Sequence, residues 1–134
     1  MTTLAHGIDL VENSRIEDLL HRHGERFTAR VFTPAEMEYA RAARNTIERL
    51  AGRFAVKEAV LKLIGTGWRG GVAWTDIEVV NDALGRPCVR LSGEVARIAR
   101  QQGIDQVQIS ITHTAQLAMA SAVALAGPHD GPRV

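Results

Sequence analysis

Residues 46–64 read TIERLAGRFAVKEAVLKLI, a run without proline whose only glycine is Gly52 and which stops at Gly65. Asn45 stands in front of it and Glu48 three residues later, the spacing of a cap followed by a glutamate, a helix-start signal. This stretch is therefore expected to be one long central helix, and the rest of the chain is read outward from it. On its N-terminal side, Thr33-Pro34-Ala35-Glu36 supplies a cap, a proline at the first helical position and a glutamate at the third, which predicts a capping box opening a helix over 34–44. Before that, Asn13 or Ser14 caps a helix with apolar Ile16, Leu19 and Leu20, ending near Gly24, and a second helical piece runs to Val31. Residues 2–11 read as an opening strand. On the C-terminal side, Gly65, Gly67, Gly70 and Gly71 break regularity, and the pattern changes from helix to sheet. Strands are expected at 75–81 and 87–92, joined by Asp-Ala-Leu-Gly, then a short helix over 93–102. Val107, Ile109 and Ile111 alternate with polar residues, and the apolar run 117–125 can pair with them through His113-Thr114-Ala115. The order of elements predicts one α+β domain over 1–126, its long helix packed on a mainly antiparallel sheet, and a disordered tail over 127–134, GPHDGPRV.

Composition narrows the function. The chain has 134 residues, 46% hydrophobic and 23% charged, with a formal charge of +1, which fits one globular domain and excludes a uniformly basic nucleic-acid coat or an acidic disordered chain. A single cysteine, Cys88, rules out an intramolecular disulfide and a cysteine-rich zinc site. The opening MTTLAHGIDL lacks the basic and apolar parts of a signal peptide, and the most apolar segment, 117–126, is too short to span a membrane, so a cytoplasmic protein with no membrane partner is expected. An RNA-binding domain would want stacking aromatics, and the chain has only six, so no nucleic-acid partner is expected.

The near-neutral total conceals a local excess. Between Arg41 and Arg69 seven basic residues face two acids, a net +5 centred on the long helix. That is either an anion site or a solvated basic face. The chain uses fourteen arginines but only two lysines, Lys57 and Lys62, both on this helix, and a lysine serves as a compact point charge for phosphate. Glu58 lies four residues before Lys62 on the same helical face, as an i,i+4 surface pair or as part of a site. Asp9 sits within an apolar strand, where an unpaired carboxylate is costly unless it faces solvent at a strand end. Asp9 and Glu58 could instead meet around Mg²⁺, which takes one or two protein carboxylates plus substrate phosphates.

Gly7-Ile8-Asp9, the block AGRFAVKEAVLK from Ala51 to Lys62, and Ser110-Ile-Thr-His-Thr114 resemble three signatures of bacterial holo-acyl-carrier-protein synthase, the single-domain 4'-phosphopantetheinyl transferase family. Trp74-Thr-Asp-Ile-Glu-Val and Leu84-Gly-Arg-Pro fall between them in family order, so the resemblance spans about residues 4–125. Ala5 departs from the glycine many members carry there, and the loop around Trp68 and Arg69 is not matched contact by contact. The resemblance implies transfer of the 4'-phosphopantetheine arm of coenzyme A to a serine of apo acyl carrier protein, a step of fatty acid biosynthesis that releases 3',5'-ADP. It implies Asp9 and Glu58 as Mg²⁺ ligands and Lys62 as the charge at the leaving group. Arg53 and the loop from Gly65 hold phosphates and nucleotide, with Glu58 or a cation-bound water as proton acceptor. His113, by its residue type alone an ordinary loop histidine, and Thr114 are implied at the 3'-phosphate end of coenzyme A. The resemblance further implies a homotrimer with sites at subunit interfaces, His113 and the Gly85-Arg86-Pro87 turn lying across from the neighbour's Asp9. Arg15, Arg22, Arg26 and Arg44 are expected to dock the acidic carrier. The alternative is a non-catalytic coenzyme A or nucleotide-binding module, which would not need both Asp9 and Glu58.

Overall fold

The computed structural model describes residues 1–68 and 70–127. In chain order the elements are β1 (Thr2–Glu12), α1 (Asn13–His23), α2 (Glu25–Val31), α3 (Pro34–Arg41), α4 (Thr46–Ile64), a 3-10 turn (Trp74–Asp76), β2 (Ile77–Asn81), β3 (Pro87–Leu91), α5 (Gly93–Gln101), β4 (Gln106–His113) and β5 (Leu117–Ala126). α4 is the axis. It is buried on nearly every side, as a helix is when it forms the core rather than a face of it. Gly65 ends it in the left-handed conformation at φ 78°, its N–H donating to the Leu61 carbonyl at 2.9 Å.

A three-stranded antiparallel sheet, in the order β1-β5-β4, packs one face on α4. The approach is close because small residues line it. Ala118, Ala120, Ala122 and Ala124 of β5 are fully buried, and a Cβ built on Gly7 of β1 would stand 2.1 Å from the Ala59 carbonyl oxygen. That contact is backbone to backbone, so only glycine lets β1 pass α4 there. β2 and β3 form a second antiparallel sheet of their own rather than joining the first.

Besides one-residue shifts at strand and helix ends, three departures from expectation have a visible cause. α3 stops at Arg41 rather than at 44, because Arg49 from α4 reaches back to cap it, its Nη1 donating to the Tyr39 carbonyl at 2.7 Å. β2 begins at Ile77 rather than 75, since Asp76 N–H closes a 3-10 turn on the Ala73 carbonyl at 3.0 Å. Glu12, not Asn13 or Ser14, is the N-cap residue of α1; Asn13 turns inward and its Nδ2 donates to the Ala115 carbonyl at 3.2 Å. Of the tail, Gly127 donates its N–H to Asp105 Oδ2 at 3.0 Å; the remainder, 128–134, lies outside the described residues, as does Arg69.

Candidate active site

The alternation of β1 turns Gly7, Asp9 and Val11 towards α4. Gly7 brings the strand onto the helix, and Asp9, two residues on, meets Lys62: its Oδ1 lies 3.0 Å from the ammonium, which also donates to the Ile8 carbonyl at 3.1 Å. The Lys62 side chain remains 57% exposed while that of Asp9 is 14% exposed, so the pair opens to solvent on the lysine side. Glu58 stands one turn before Lys62. Burial and then the negative charge of Asp9 push its carboxyl above the ordinary glutamate range, while a hydrogen bond from Trp68 and the charges of Arg15 and Lys62 pull it back. Two carboxylates close enough to feel each other's charge are a hard-oxygen pair that a divalent cation would relieve. They are too few for a closed protein cage and match the one or two that Mg²⁺ takes when phosphates complete its shell.

The second-half residues lie elsewhere, in two turns. His113 ends β4, the edge of the sheet opposite β1, and its imidazole rests against Gly52 of α4. Thr114 forms the β4–β5 turn, its Oγ1 accepting from Gln116 N at 3.3 Å and Leu117 N at 3.0 Å. At the β2–β3 turn, Asp82 Oδ1 accepts from Leu84 N at 2.8 Å and Arg86 N at 2.9 Å, while Arg86 Nε donates to Asp82 Oδ2 at 3.1 Å. This fixes Gly85-Arg86-Pro87 beside an open groove of about 680 Å³ between β3 and β4, lined by Arg86, Pro87, Gln108 and Ser110. Within one chain, Asp9 and His113 lie on opposite edge strands of the sheet.

The basic segment of α4 is not a positive face. Arg53 is buried, stacked 3.9 Å from the Tyr39 ring centroid, and its Nη2 donates to Asn81 Oδ1 at 3.3 Å, leaving Nε buried with no hydrogen-bond partner among the described residues. Lys57 corrects the reading of both lysines as phosphate charges. Its side chain and that of its partner Glu36 are each 0% exposed, at 2.9 Å from one another. The two lysines are five residues apart, which turns Lys57 away from Lys62 into the core. Gly65, expected to start a phosphate loop, serves as the C-cap of α4.

A model of the 4'-phosphopantetheinyl transferase superfamily matches residues 5–120. The chain belongs to that superfamily. It is 47% identical to a holo-[acyl-carrier-protein] synthase of Solibacter usitatus over 87% of this chain and 94% of the relative. To the enzyme of that name from Desulforudis audaxviator it is 44% identical, over 97% and 98%. The crystal structure of the Neisseria meningitidis holo-[acyl-carrier-protein] synthase superposes with TM-score 0.85 at 34% identity, covering 92% of this chain and 99% of that one. The Bacillus anthracis synthase in complex with CoA (3',5'-ADP) does so with TM-score 0.77 at 34% identity, over 95% and 100%.

The transferase carries a second recognisable surface. Arg15 lies 5.2 Å over the Phe54 ring, and a groove of about 360 Å³ beside it is lined by Arg15, Leu19, Arg26, Phe27, Arg30 and Trp74. Arg15 and Arg26 were expected on a docking surface and meet here. Arg22 instead pairs with Asp18 at 3.2 Å outside the lining, and Arg44 is exposed in the α3–α4 turn. Arg30 and Leu19 were missed, although the four-residue steps Arg15–Leu19 and Arg26–Arg30 are a signal that puts each pair on one helical face. Trp68 and Trp74, as residue types alone, suit packing or an interface, and Trp68 does pack. It stacks on Trp74 with centroids 3.6 Å apart, Trp74 stacks on Phe54 at 5.0 Å, and the column runs along the Glu58 face of α4.

Proposed function

We propose that this transferase moves the 4'-phosphopantetheine group of coenzyme A onto a serine hydroxyl of apo acyl carrier protein and releases 3',5'-ADP. The observation that carries the reading is the accessible patch of Asp9, Glu58 and Lys62, two carboxylates and one ammonium, in a chain of this superfamily. The serine oxygen forms a bond to the phosphorus next to the pantetheine, the bond to the 3',5'-ADP oxygen breaks, and the serine proton leaves to a base. Asp9 and Glu58 would hold a divalent cation, Mg²⁺ by their chemistry, which when bound neutralises pyrophosphate charge and makes the phosphorus more electrophilic. Lys62, half exposed beside them, places its ammonium against the charge that grows on the leaving phosphate oxygen. Glu58, with its raised proton affinity, is the chain's own candidate for the base. Arg53, expected to hold phosphate, is buried over the Tyr39 ring and bonded to Asn81, so it supports the helix from within and leaves the phosphate to Lys62. Arg15 and Arg26, with Arg22 and Arg44 further out, draw in the acidic carrier around the apolar groove.

The coenzyme A site is completed between subunits of a homotrimer, with His113, Thr114 and the Gly85-Arg86-Pro87 turn of one chain facing Asp9 of the next. Two features support this: Asp9 and His113 occupy opposite edge strands of the three-stranded sheet, and the sheet face turned away from α4 exposes Leu4, Ile8, Leu10 and Met119, with Leu10 paired to Met119 across the strands. The exposed free thiol of Cys88 suits a reducing cytoplasm.

Mass spectrometry tests the reaction. Apo carrier with coenzyme A and Mg²⁺ should gain one phosphopantetheine, with no gain in chelator or with Asp9→Ala; full activity of Asp9→Ala in chelator would sink the metal assignment. Mixing tests the shared site. Asp9→Ala and His113→Ala, each impaired, should recover activity when refolded together, about one interface in four being intact. No recovery in mixed oligomers shown to have formed would place both residues in one chain's site.

A further inference from the structure

Gly52 is buried in the middle of α4, where alanine would hold the helix better. It touches none of the phosphate chemistry itself, so its place needs a reason. A Cβ built on it would stand 2.9 Å from His113 Cε1, 3.2 Å from His113 Nε2 and 3.2 Å from Ile111 Cγ2. The first of these is shorter than side-chain carbons tolerate, so something would have to move. At Gly7 the obstacle is the Ala59 carbonyl, a backbone atom that cannot yield. At Gly52 it is the far end of an exposed side chain at the β4–β5 turn, which can.

We propose that Gly52 is a positioning residue for His113: by having no side chain it leaves a flat seat on α4 that fixes the imidazole, and this sets the affinity for the 3'-phosphate end of coenzyme A. The inference rests on the reading of His113 given above. The helix and the histidine belong to one chain, so the seat is built before any partner subunit or nucleotide arrives. An imidazole held in place loses little freedom when it binds phosphate, whereas a displaced one must be reordered or misses the oxygen. Alanine at 52 would lift the ring and leave Glu58 and Lys62, on later turns of α4, and Asp9, on β1, where they are.

Full-length Gly52→Ala, His113→Ala and the double variant decide this, with 3',5'-ADP affinity from calorimetry and steady-state kinetics on coenzyme A and apo carrier. Gly52→Ala is expected to weaken 3',5'-ADP binding and raise the KM for coenzyme A about tenfold, the order of one charge-assisted hydrogen bond, with kcat within about twofold. Because both act through one contact, the double variant should bind no worse than His113→Ala. In ¹H–¹⁵N spectra the His113 imidazole signals should shift in Gly52→Ala while those of His6, His21 and His23 stay. Normal binding by Gly52→Ala beside a weakened His113→Ala, or losses that multiply in the double variant, would overturn the proposal alone. Normal binding by His113→Ala would overturn the reading beneath it. If Gly52→Ala does not fold, the double variant decides: its folding makes the ring the contact, and its failure assigns Gly52 to backbone packing and overturns the proposal.

Discussion

Lys57 and Lys62 are the chain's two lysines, both on α4 and each paired with a carboxylate, yet one pair closes the fold and the other opens a site. Five residues of helix set them about 140° apart. Lys57 points between α3 and β2, where its ammonium donates to the Trp74 carbonyl at 3.2 Å and to the Ile77 carbonyl and pairs with Glu36. Glu36 is equally spent: Oε1 accepts from Thr33 N at 2.9 Å and Oε2 from Val79 N at 2.8 Å. Burial pushes the Lys57 ammonium below the ordinary lysine range, and the Glu36 charge works against that shift. Nothing is left over for a ligand. Lys62 spends its donors on Asp9 and the Ile8 carbonyl and keeps one of its three protons for solvent or substrate. An ion pair works on a ligand only when its hydrogen-bonding capacity is incompletely used and it remains in reach of water.

The comparison breaks most visibly in stability. Lys57→Ala strands a buried carboxylate and is expected to cost about 3–5 kcal/mol, read as a lower urea midpoint; a cost under about 1 kcal/mol would make the pair ornamental. Lys62→Ala should do the reverse. Its melting curve should stay within about 1 kcal/mol of the parent, while kcat falls about a hundredfold for want of charge at the leaving oxygen. A Lys62→Ala protein that melts like Lys57→Ala would erase the distinction drawn from burial.

How far the sequence reached depends on whether a signal was local. The Thr33–Glu36 capping box is readable because both halves fall within one turn, and both bonds form, at 3.2 and 2.9 Å. That the same Glu36 also neutralises Lys57 is a tertiary fact, and no spacing announces it. Asp9 was legible as a carboxylate in need of a partner, because an apolar strand makes an unpaired charge costly, but the partner's identity comes from the way Gly7 brings β1 onto α4. The net charge of +5 misled for the opposite reason: summing along the chain ignores that Arg53 and Lys57 turn inward. The two-sheet arrangement was illegible because the β2–β3 hairpin reads the same whether or not it joins β1-β5-β4.

A smaller effect sharpens the chemistry of the open pair. The folded-state carboxyl of Glu58 is raised above its ordinary value of 4.5, so the folded protein holds that proton more tightly than the unfolded chain. The stability this contributes is full below about 4.5 and is lost as pH rises through the folded value. In chelated protein, Glu58→Gln lacks that loss and should melt higher than the parent near neutral pH, the gap narrowing on acidification. A gap independent of pH would mean that Glu58 is not charged at the expense of the fold.

The smallest effect compares two arginines of α1. Arg15 sits over Phe54 at the rim of the apolar groove, its charge committed to no carboxylate among the ion pairs of the described residues. Arg22, with a side chain 67% exposed, is tied to Asp18 one turn back. If the groove receives the carrier, Arg15→Ala loses both a positive charge held in no ion pair and aromatic packing, and should raise the carrier KM several-fold, the order of about 1 kcal/mol, with a smaller change in kcat because that charge also reaches Glu58. Arg22→Ala loses a charge already half neutralised and leaves Asp18 exposed, so its effect should stay below about 0.5 kcal/mol. Raising salt shortens the reach of exposed charges to a few ångströms, so the Arg22 effect should vanish while the packing part of the Arg15 effect persists. Equal effects that both vanish with salt would make the two arginines parts of one diffuse field, and the groove would lose its claim to the carrier.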